Sequence, residues 1–72
     1  MKKTVLVVDD EPSIRAFVRS SLMHAGYRVV ESGSGEHALN ALVDSDISGA
    51  IIDIRLPDMD GTVVIESVRQ SH

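Results

Sequence analysis

The sequence predicts an α/β fold with a parallel sheet. Thr4–Val8 is an uninterrupted run of β-branched and aliphatic residues, and Ala50–Ile54 is apolar except for Asp53. Both runs are typical of strands covered on both faces. Segments with helical spacing of apolar residues follow these runs. Because strands that alternate with helices are joined by crossovers into parallel sheets, we expect three consecutive βα units.

The first unit begins with the strand Thr4–Val8, which ends at a run of three acids. Pro12 suits the first turn of the following helix, where the positive helix end also favours the acids. Gly26 suits the position just beyond the end of that helix. Apolar residues recur at helical spacing between these two points, at Ile14, Phe17, Val18, Leu22 and Ala25.

The second strand is more polar than the other two, which predicts an edge position in the sheet. The β-branched run at the start of the last helix could also pass for a strand. After Gly26, the second unit is predicted to have a strand at Tyr27–Glu31, a turn at Ser32–Gly35 and a helix at Glu36–Val43, whose apolar face has Ala38, Leu39, Ala41 and Leu42. A polar connection at Asp44–Gly49 leads to the third unit. That unit has a strand at Ala50–Ile54, a loop at Arg55–Gly61 and a helix at Thr62–Gln70, whose buried side has Val64, Ile65 and Val68.

Length and composition limit the possible functions. The chain has 72 residues and therefore one domain at most, with marginal stability because small domains bury less of their surface. The absence of cysteine excludes disulfides, thiolate zinc sites and cysteine nucleophiles. Added stabilisation would then come from a bound metal or a partner chain.

Charge and hydropathy favour a cytoplasmic protein that does not bind membranes. No apolar run approaches the roughly 18 residues of a membrane span, and the run after Lys3 stops at Val8, too early for a signal peptide. The net charge of −4, without a basic cluster, argues against nucleic-acid binding by this segment.

Three acids lie at the ends of predicted strands. Asp9 and Asp10 follow the first strand directly, and Asp53 is near the end of the third. Ligands bind beyond the carboxyl ends of parallel strands, so these acids converge if the two strands are neighbours. Two carboxylates about 4 Å apart repel by roughly 4 kcal/mol at an effective dielectric near 20. A cation such as Mg²⁺, which accepts a few carboxylates plus phosphate oxygens, would relieve that repulsion.

Asp53 is the candidate nucleophile, because it lies in an otherwise apolar strand where packing does not explain it. A carboxylate beside a metal can form an acyl phosphate, while Asp9 and Asp10 suit the metal itself. Acids between a strand and a helix are also common helix caps, and that interpretation is favoured for Asp10 or Glu11 taken alone. Spacing alone leaves both interpretations open.

Two motifs contain the acids, and they are Val-Leu-Val-Val-Asp9-Asp10-Glu11-Pro12 and Ile-Ile-Asp53-Ile-Arg-Leu-Pro57-Asp-Met-Asp-Gly61. In sequence and in separation they resemble the receiver domains of two-component response regulators. The resemblance extends over essentially the whole chain, including Gly26-Tyr27 and Ser34-Gly35-Glu36.

The resemblance implies a flavodoxin-like fold with sheet order 2-1-3 and a phosphoacceptor role in a phosphorelay. Asp53 would receive the phosphoryl group from a histidine kinase or a phosphotransfer protein, which makes the chain a phosphoacceptor that assists its own phosphorylation rather than an enzyme. Mg²⁺ would be held by Asp9, Asp10, Asp53 and the backbone carbonyl of Arg55. The loop beside the site would be shaped by Pro57 and Gly61.

The chain departs from the family pattern in its number of units. Family members have five βα units, so residues 1–72 are expected to form a partial receiver domain without the phosphate-binding Ser/Thr of the fourth strand and the Lys of the fifth. Slow phosphorylation is then expected. The third strand would also have an open apolar edge, which favours self-association. A compact monomer in solution would contradict that expectation.

Alternative functions come from different classes. The chain could act as a binding or dimerisation module without phosphoryl transfer, in which case Asp53→Asn would leave binding intact. The segment Gly33-Ser34-Gly35-Glu36-His37-Ala38 matches a dinucleotide-binding pattern, although that pattern belongs in a first βα turn. Asp58-Met59-Asp60-Gly61 is similar to part of a Ca²⁺ loop, but Leu56 occupies the position of its first acid.

Overall fold

Three strands and three helices alternate along the chain, as predicted. The computed structural model describes residues 2–44 and 46–71. The elements are β1 (Thr4–Val8), α1 (Pro12–His24), β2 (Arg28–Ser32), α2 (Gly35–Asp44), β3 (Gly49–Ile52) and α3 (Gly61–Ser71).

The sheet is parallel and has the order β2-β1-β3. Its register sets Val8 opposite Ser32 of β2 and opposite Ile52 of β3. Because β1 is central, its apolar residues are covered on both faces, and Val5 to Val8 are all buried. The predicted sheet order and the predicted edge position of β2 are therefore confirmed.

The main core lies on the face of the sheet that α2 and α3 cover. Its buried members include Ile47, in the connection that was predicted to be polar. That connection also contains Ser45, which lies outside the described residues. The buried members of this core are Leu6, Val8, Ala38, Leu42, Ile47 and Val64.

The opposite face is covered less completely. Successive side chains of a strand alternate between faces, so Val5 and Val7 face away from the main core, toward α1. Among the described residues, α1 contacts β1 and β2 but not β3. The predicted apolar face of α1 is consequently not buried, and Ile14 is 51% and Phe17 is 73% exposed. Ile51 of β3 is also exposed on this side.

Element boundaries differ from the predictions by one or two residues. Strand β2 begins at Arg28 because the N–H of Tyr27 still bonds to the carbonyl of Leu22, closing the end of α1. Gly26 has the positive φ of 98° expected just beyond that helix. The segment Gly61–Ser71, with its β-branched start, is helical as predicted.

The outer edge of β3 has no strand partner among the described residues. The predicted open edge is thus present, and pairing of two copies along it stays a prediction. Within the same described part of the chain, no helix combines the length and the apolarity that a membrane crossing requires.

Ser32 provides a test of the core. Its hydroxyl is buried and has no hydrogen-bond partner among the described residues. Because a buried hydroxyl without a partner costs about 1 kcal/mol or more in desolvation, Ser32→Ala should raise the free energy of unfolding by about 1 kcal/mol. Urea unfolding monitored by circular dichroism measures this change.

Ser34→Ala is the matched control. The Ser34 hydroxyl accepts a hydrogen bond from the N–H of His37 at 3.2 Å, so its loss should lower the free energy of unfolding by about 1 kcal/mol. Equal destabilisation by both variants would contradict the assignment of Ser32 as an unsatisfied group.

Candidate functional site

The carboxyl ends of β1 and β3 bring three acids together. Val8 lies opposite Ile52, so the residues that follow them, Asp9 and Asp53, begin at the same edge of the sheet. The N–H of Asp53 donates to the carbonyl of Val8 at 2.9 Å, which extends this pairing by one step. Carboxylate oxygens of Asp9, Asp10 and Asp53 all lie within 4.8 Å of one another.

Two of these carboxylates are oriented in the same way. Asp9 Oδ1 accepts a hydrogen bond from the N–H of Glu11 at 2.9 Å, and Asp53 Oδ1 accepts one from the N–H of Arg55 at 3.1 Å. A hydrogen bond from the N–H two residues onward to an aspartate side chain forms an Asx-turn. Among the described residues, the second oxygen of each carboxylate has no hydrogen bond, so it is free to meet a ligand.

The loop after β3 closes tightly against the phosphoacceptor candidate. The N–H of Gly61 donates to the carbonyl of Ile54 at 2.6 Å, and Arg55 forms an antiparallel bridge with Asp60. Gly61 is buried, and a Cβ atom there would collide with the carbonyl oxygen of Asp53. This contact gives a steric reason for glycine at a position that the sequence marked as loop-shaping. Pro57 is exposed within the same loop.

The two other acids of this loop bond to helices rather than to the cluster. Asp58 accepts hydrogen bonds from α2, and Asp60 accepts them from the N–H and hydroxyl of Thr62 at the start of α3. The backbone bonds from Glu36 and Gly35 lower the pKa of Asp58 below its ordinary 3.8, and those from Thr62 do the same for Asp60. These hydrogen bonds therefore stabilise the folded state fully above pH 3.8. The stabilisation is lost as the pH falls through the lowered pKa values of Asp58 and Asp60.

An arginine beside the cluster was not identified from the sequence. Arg15 donates from Nη1 to the carbonyl of Asp9 at 2.7 Å and from Nε to Glu31 at 3.3 Å. Arg19, one turn further along α1, contacts the other oxygen of Glu31 at 3.1 Å. The i, i+4 spacing of the two arginines was an available signal, but their common partner on β2 becomes apparent only with the fold.

The sequence model described as "Response regulator receiver domain" matches residues 5–72. The chain belongs to the response regulator receiver domain family. The family match covers the three acids as well as all three βα units, and it confirms the resemblance found in the motifs.

Relatives in this family include whole response regulators that are longer than this chain. Response regulator GtcR of Aneurinibacillus migulanus is 36% identical over 72 residues, which are 100% of this chain and 30% of that protein. The alkaline phosphatase synthesis transcriptional regulatory protein PhoP of Bacillus subtilis is 37% identical over 97% of this chain and 29% of its own length.

Solved receiver structures share the fold. The chemotaxis response regulator CheY4 of Vibrio cholerae has a TM-score of 0.89 and 35% identity, covering 96% of this chain and 57% of that chain. The response regulator TrrA of Thermotoga maritima, solved in complex with Mg(2+)-BeF, has a TM-score of 0.88 and 35% identity over 94% of this chain and 59% of that one. The chain thus spans a little over half of each solved relative.

The receiver fold also bears on the dinucleotide hypothesis. Gly33, Ser34 and Gly35 follow β2, the edge strand, and form the second βα turn instead of the first. The first turn carries the acids. The glycine pattern is therefore part of the second unit of a receiver domain.

Gly61→Ala tests the close packing of the loop. The added methyl group meets the backbone of Asp53, which cannot move without disturbing β3, so the free energy of unfolding should fall by about 1–3 kcal/mol. Gly49→Ala is the control, since a Cβ atom at Gly49 meets nothing within 4 Å. Urea unfolding of both variants measures the difference, and equal stabilities would contradict the packing described here.

Proposed function

We propose that Asp53 accepts a phosphoryl group from the phosphohistidine of a histidine kinase or phosphotransfer protein. The observation that carries this proposal is the free second oxygen of Asp53, which lies in a cluster with Asp9 and Asp10 in a chain of the receiver family. The chain's role is that of a phosphoacceptor in a phosphorelay.

The proposed transfer gives Asp53 and Arg55 separate roles. The unbonded carboxylate oxygen of Asp53 attacks phosphorus, the phosphorus–nitrogen bond to the donor imidazole breaks, and that nitrogen leaves with the bonding pair and takes up a proton. The product is an acyl phosphate on Asp53. The N–H of Arg55 donates to the other oxygen of Asp53 at 3.1 Å, which orients the nucleophile.

The donor set fits a magnesium ion. Asp9, Asp10 and Asp53 would supply hard carboxylate oxygens, which Mg²⁺ prefers in small number beside phosphate. The backbone carbonyl of Arg55, which the family resemblance implies, would add a further oxygen ligand. When bound, Mg²⁺ supplies positive charge that offsets the negative charge of the transferring group and of the three acids. The relative TrrA, whose structure contains Mg(2+)-BeF, supports this choice of ion.

A binding module without chemistry is the competing function. It would use the same fold to bind a kinase or a second chain, and its acids would serve only as helix caps. The bond from Glu11 N–H to Asp9 is compatible with that role. Asp53 caps no helix, since its acceptor bond comes from a loop amide, and this difference favours the phosphoacceptor.

Phosphoryl transfer is tested by intact mass. The purified chain is incubated with acetyl phosphate, a small phosphoryl donor, with and without Mg²⁺. We expect one phosphoryl adduct that depends on Mg²⁺ and is lost in Asp53→Asn, since the amide cannot act as the nucleophile. Asp46→Asn is the control, because it removes one exposed carboxylate at a distance from the cluster and should keep the adduct.

The same experiment identifies the alternative. A folded wild-type chain without an adduct would contradict the phosphoacceptor function and favour the binding module. An adduct that persists in Asp53→Asn would contradict the assignment of Asp53. Circular dichroism of each variant establishes that it is folded.

A further inference from the structure

The N-terminus of α2 is capped by a residue from the loop that follows the phosphoacceptor. Asp58 Oδ1 accepts a hydrogen bond from the N–H of Gly35 at 2.8 Å, and Asp58 Oδ2 accepts one from the N–H of Glu36 at 2.9 Å. These amides precede Asp58 by 23 and 22 residues. Helix caps usually come from the residue just before the helix, and Ser34 already fills that role through His37.

The two bonds therefore serve to join distant segments. The first amides of a helix lack partners within the helix, and the helix dipole favours a negative charge beside them. Both oxygens of Asp58 are engaged, one with each amide, which fixes the plane of the carboxylate. Asp58 thus holds the loop between β3 and α3 against α2 in one orientation.

Met59 reinforces this connection. Its side chain occupies the space where a side chain at Gly35 would lie, and it packs against the main core. The loop is consequently held on α2 by a charged contact at Asp58 and an apolar contact at the next residue. Both contacts depend on the first residues of α2.

The fastened segment is continuous with the proposed ligands. The N–H of Leu56 donates to the carbonyl of Met59 at 3.2 Å, and Arg55 pairs with Asp60 across the same turn. Arg55 in turn donates to the carboxylate of Asp53. Only Leu56 and Pro57 separate Asp58 from Arg55, so the turn links the residue that bonds to α2 directly to the proposed ligand carbonyl of Arg55.

We propose that Asp58 is a positioning residue for the phosphoacceptor site, which holds the carbonyl of Arg55 and the carboxylate of Asp53 in place by clamping their loop to α2. The inference rests on the proposed function of Asp53. Asp58 itself touches neither the phosphoryl group nor the cation.

Asp58→Ala should slow phosphorylation in a chain that remains folded. Loss of residues that orient metal ligands commonly costs between about 10-fold and 100-fold in metal affinity or activity. We expect a change in that range in the rate constant for phosphorylation by acetyl phosphate or in the Mg²⁺ concentration that gives half the maximal rate. Asp58→Asn should be intermediate, since it keeps one acceptor oxygen and replaces the other with an NH2 group, which cannot accept from the second N–H.

Ser34→Ala is the matched control for helix capping. It removes a cap from the same helix without touching the loop, so it should keep the wild-type rate wherever it is folded. Hydrogen exchange gives a second readout that does not depend on phosphorylation. The amides of Leu56 and Gly61 should exchange faster in Asp58→Ala and at the wild-type rate in Ser34→Ala.

The outcomes separate the two proposals. An active wild-type chain, together with an Asp58→Ala variant of unchanged rate, unchanged Mg²⁺ dependence and unchanged loop exchange, would overturn the positioning role alone. Equal losses of rate in Asp58→Ala and Ser34→Ala would also overturn it, because capping of α2 would then explain both. A folded wild-type chain without any adduct would contradict the proposed function, and the positioning role with it.

Discussion

The parallel pairing of β1 with β3 is the constraint on which the site depends. Val8 and Ile52 are register partners, so the chain leaves both strands at one edge of the sheet and the next residues are acids. A shift of this register by one residue would turn Asp53 to the other face of the sheet. The same shift would turn Ile52, which packs against the main core, away from it. The hydrophobic core and the acidic cluster are therefore specified by the same strand pairing.

The aspartates of the two strand-end loops accept two kinds of hydrogen bond, one local in the sequence and one from a distant segment. Asp9, Asp53 and Asp60 each accept a hydrogen bond from the amide two residues onward, which orients the side chain at low entropic cost. Asp58 instead bonds to amides of another element. The local bonds orient individual carboxylates, whereas the distant one ties the β3–α3 loop to α2. Both kinds of bond restrict the movement of the carboxylates and of their loop. They therefore help to keep the like charges of the site close together.

Local patterns were sufficient to predict the elements and the acids of the cluster. The apolar runs predicted β1 and β3. The acids at the ends of those strands predicted the cluster of Asp9, Asp10 and Asp53. Contacts between distant segments were not accessible in this way. Ile47 is buried within a polar segment, and Phe17 is exposed within an apolar helical stripe, because each depends on which element packs above it. Glu31, which accepts from Arg15, and the amides of α2 that bond to Asp58 likewise lie 16 and more residues away in the chain.

The most direct test of the central claim locates a bound cation by paramagnetic relaxation. Mn²⁺ takes the same oxygen ligands as Mg²⁺ and broadens the NMR signals of nearby amides. We predict selective broadening at residues 9–11 and 53–55, which is reversed by excess Mg²⁺ and weakened in Asp10→Asn. Broadening centred on other exposed acids, such as Asp58 and Asp60, or no selective broadening at any Mn²⁺ concentration at which the chain stays folded, would contradict a cation site formed by the ends of β1 and β3.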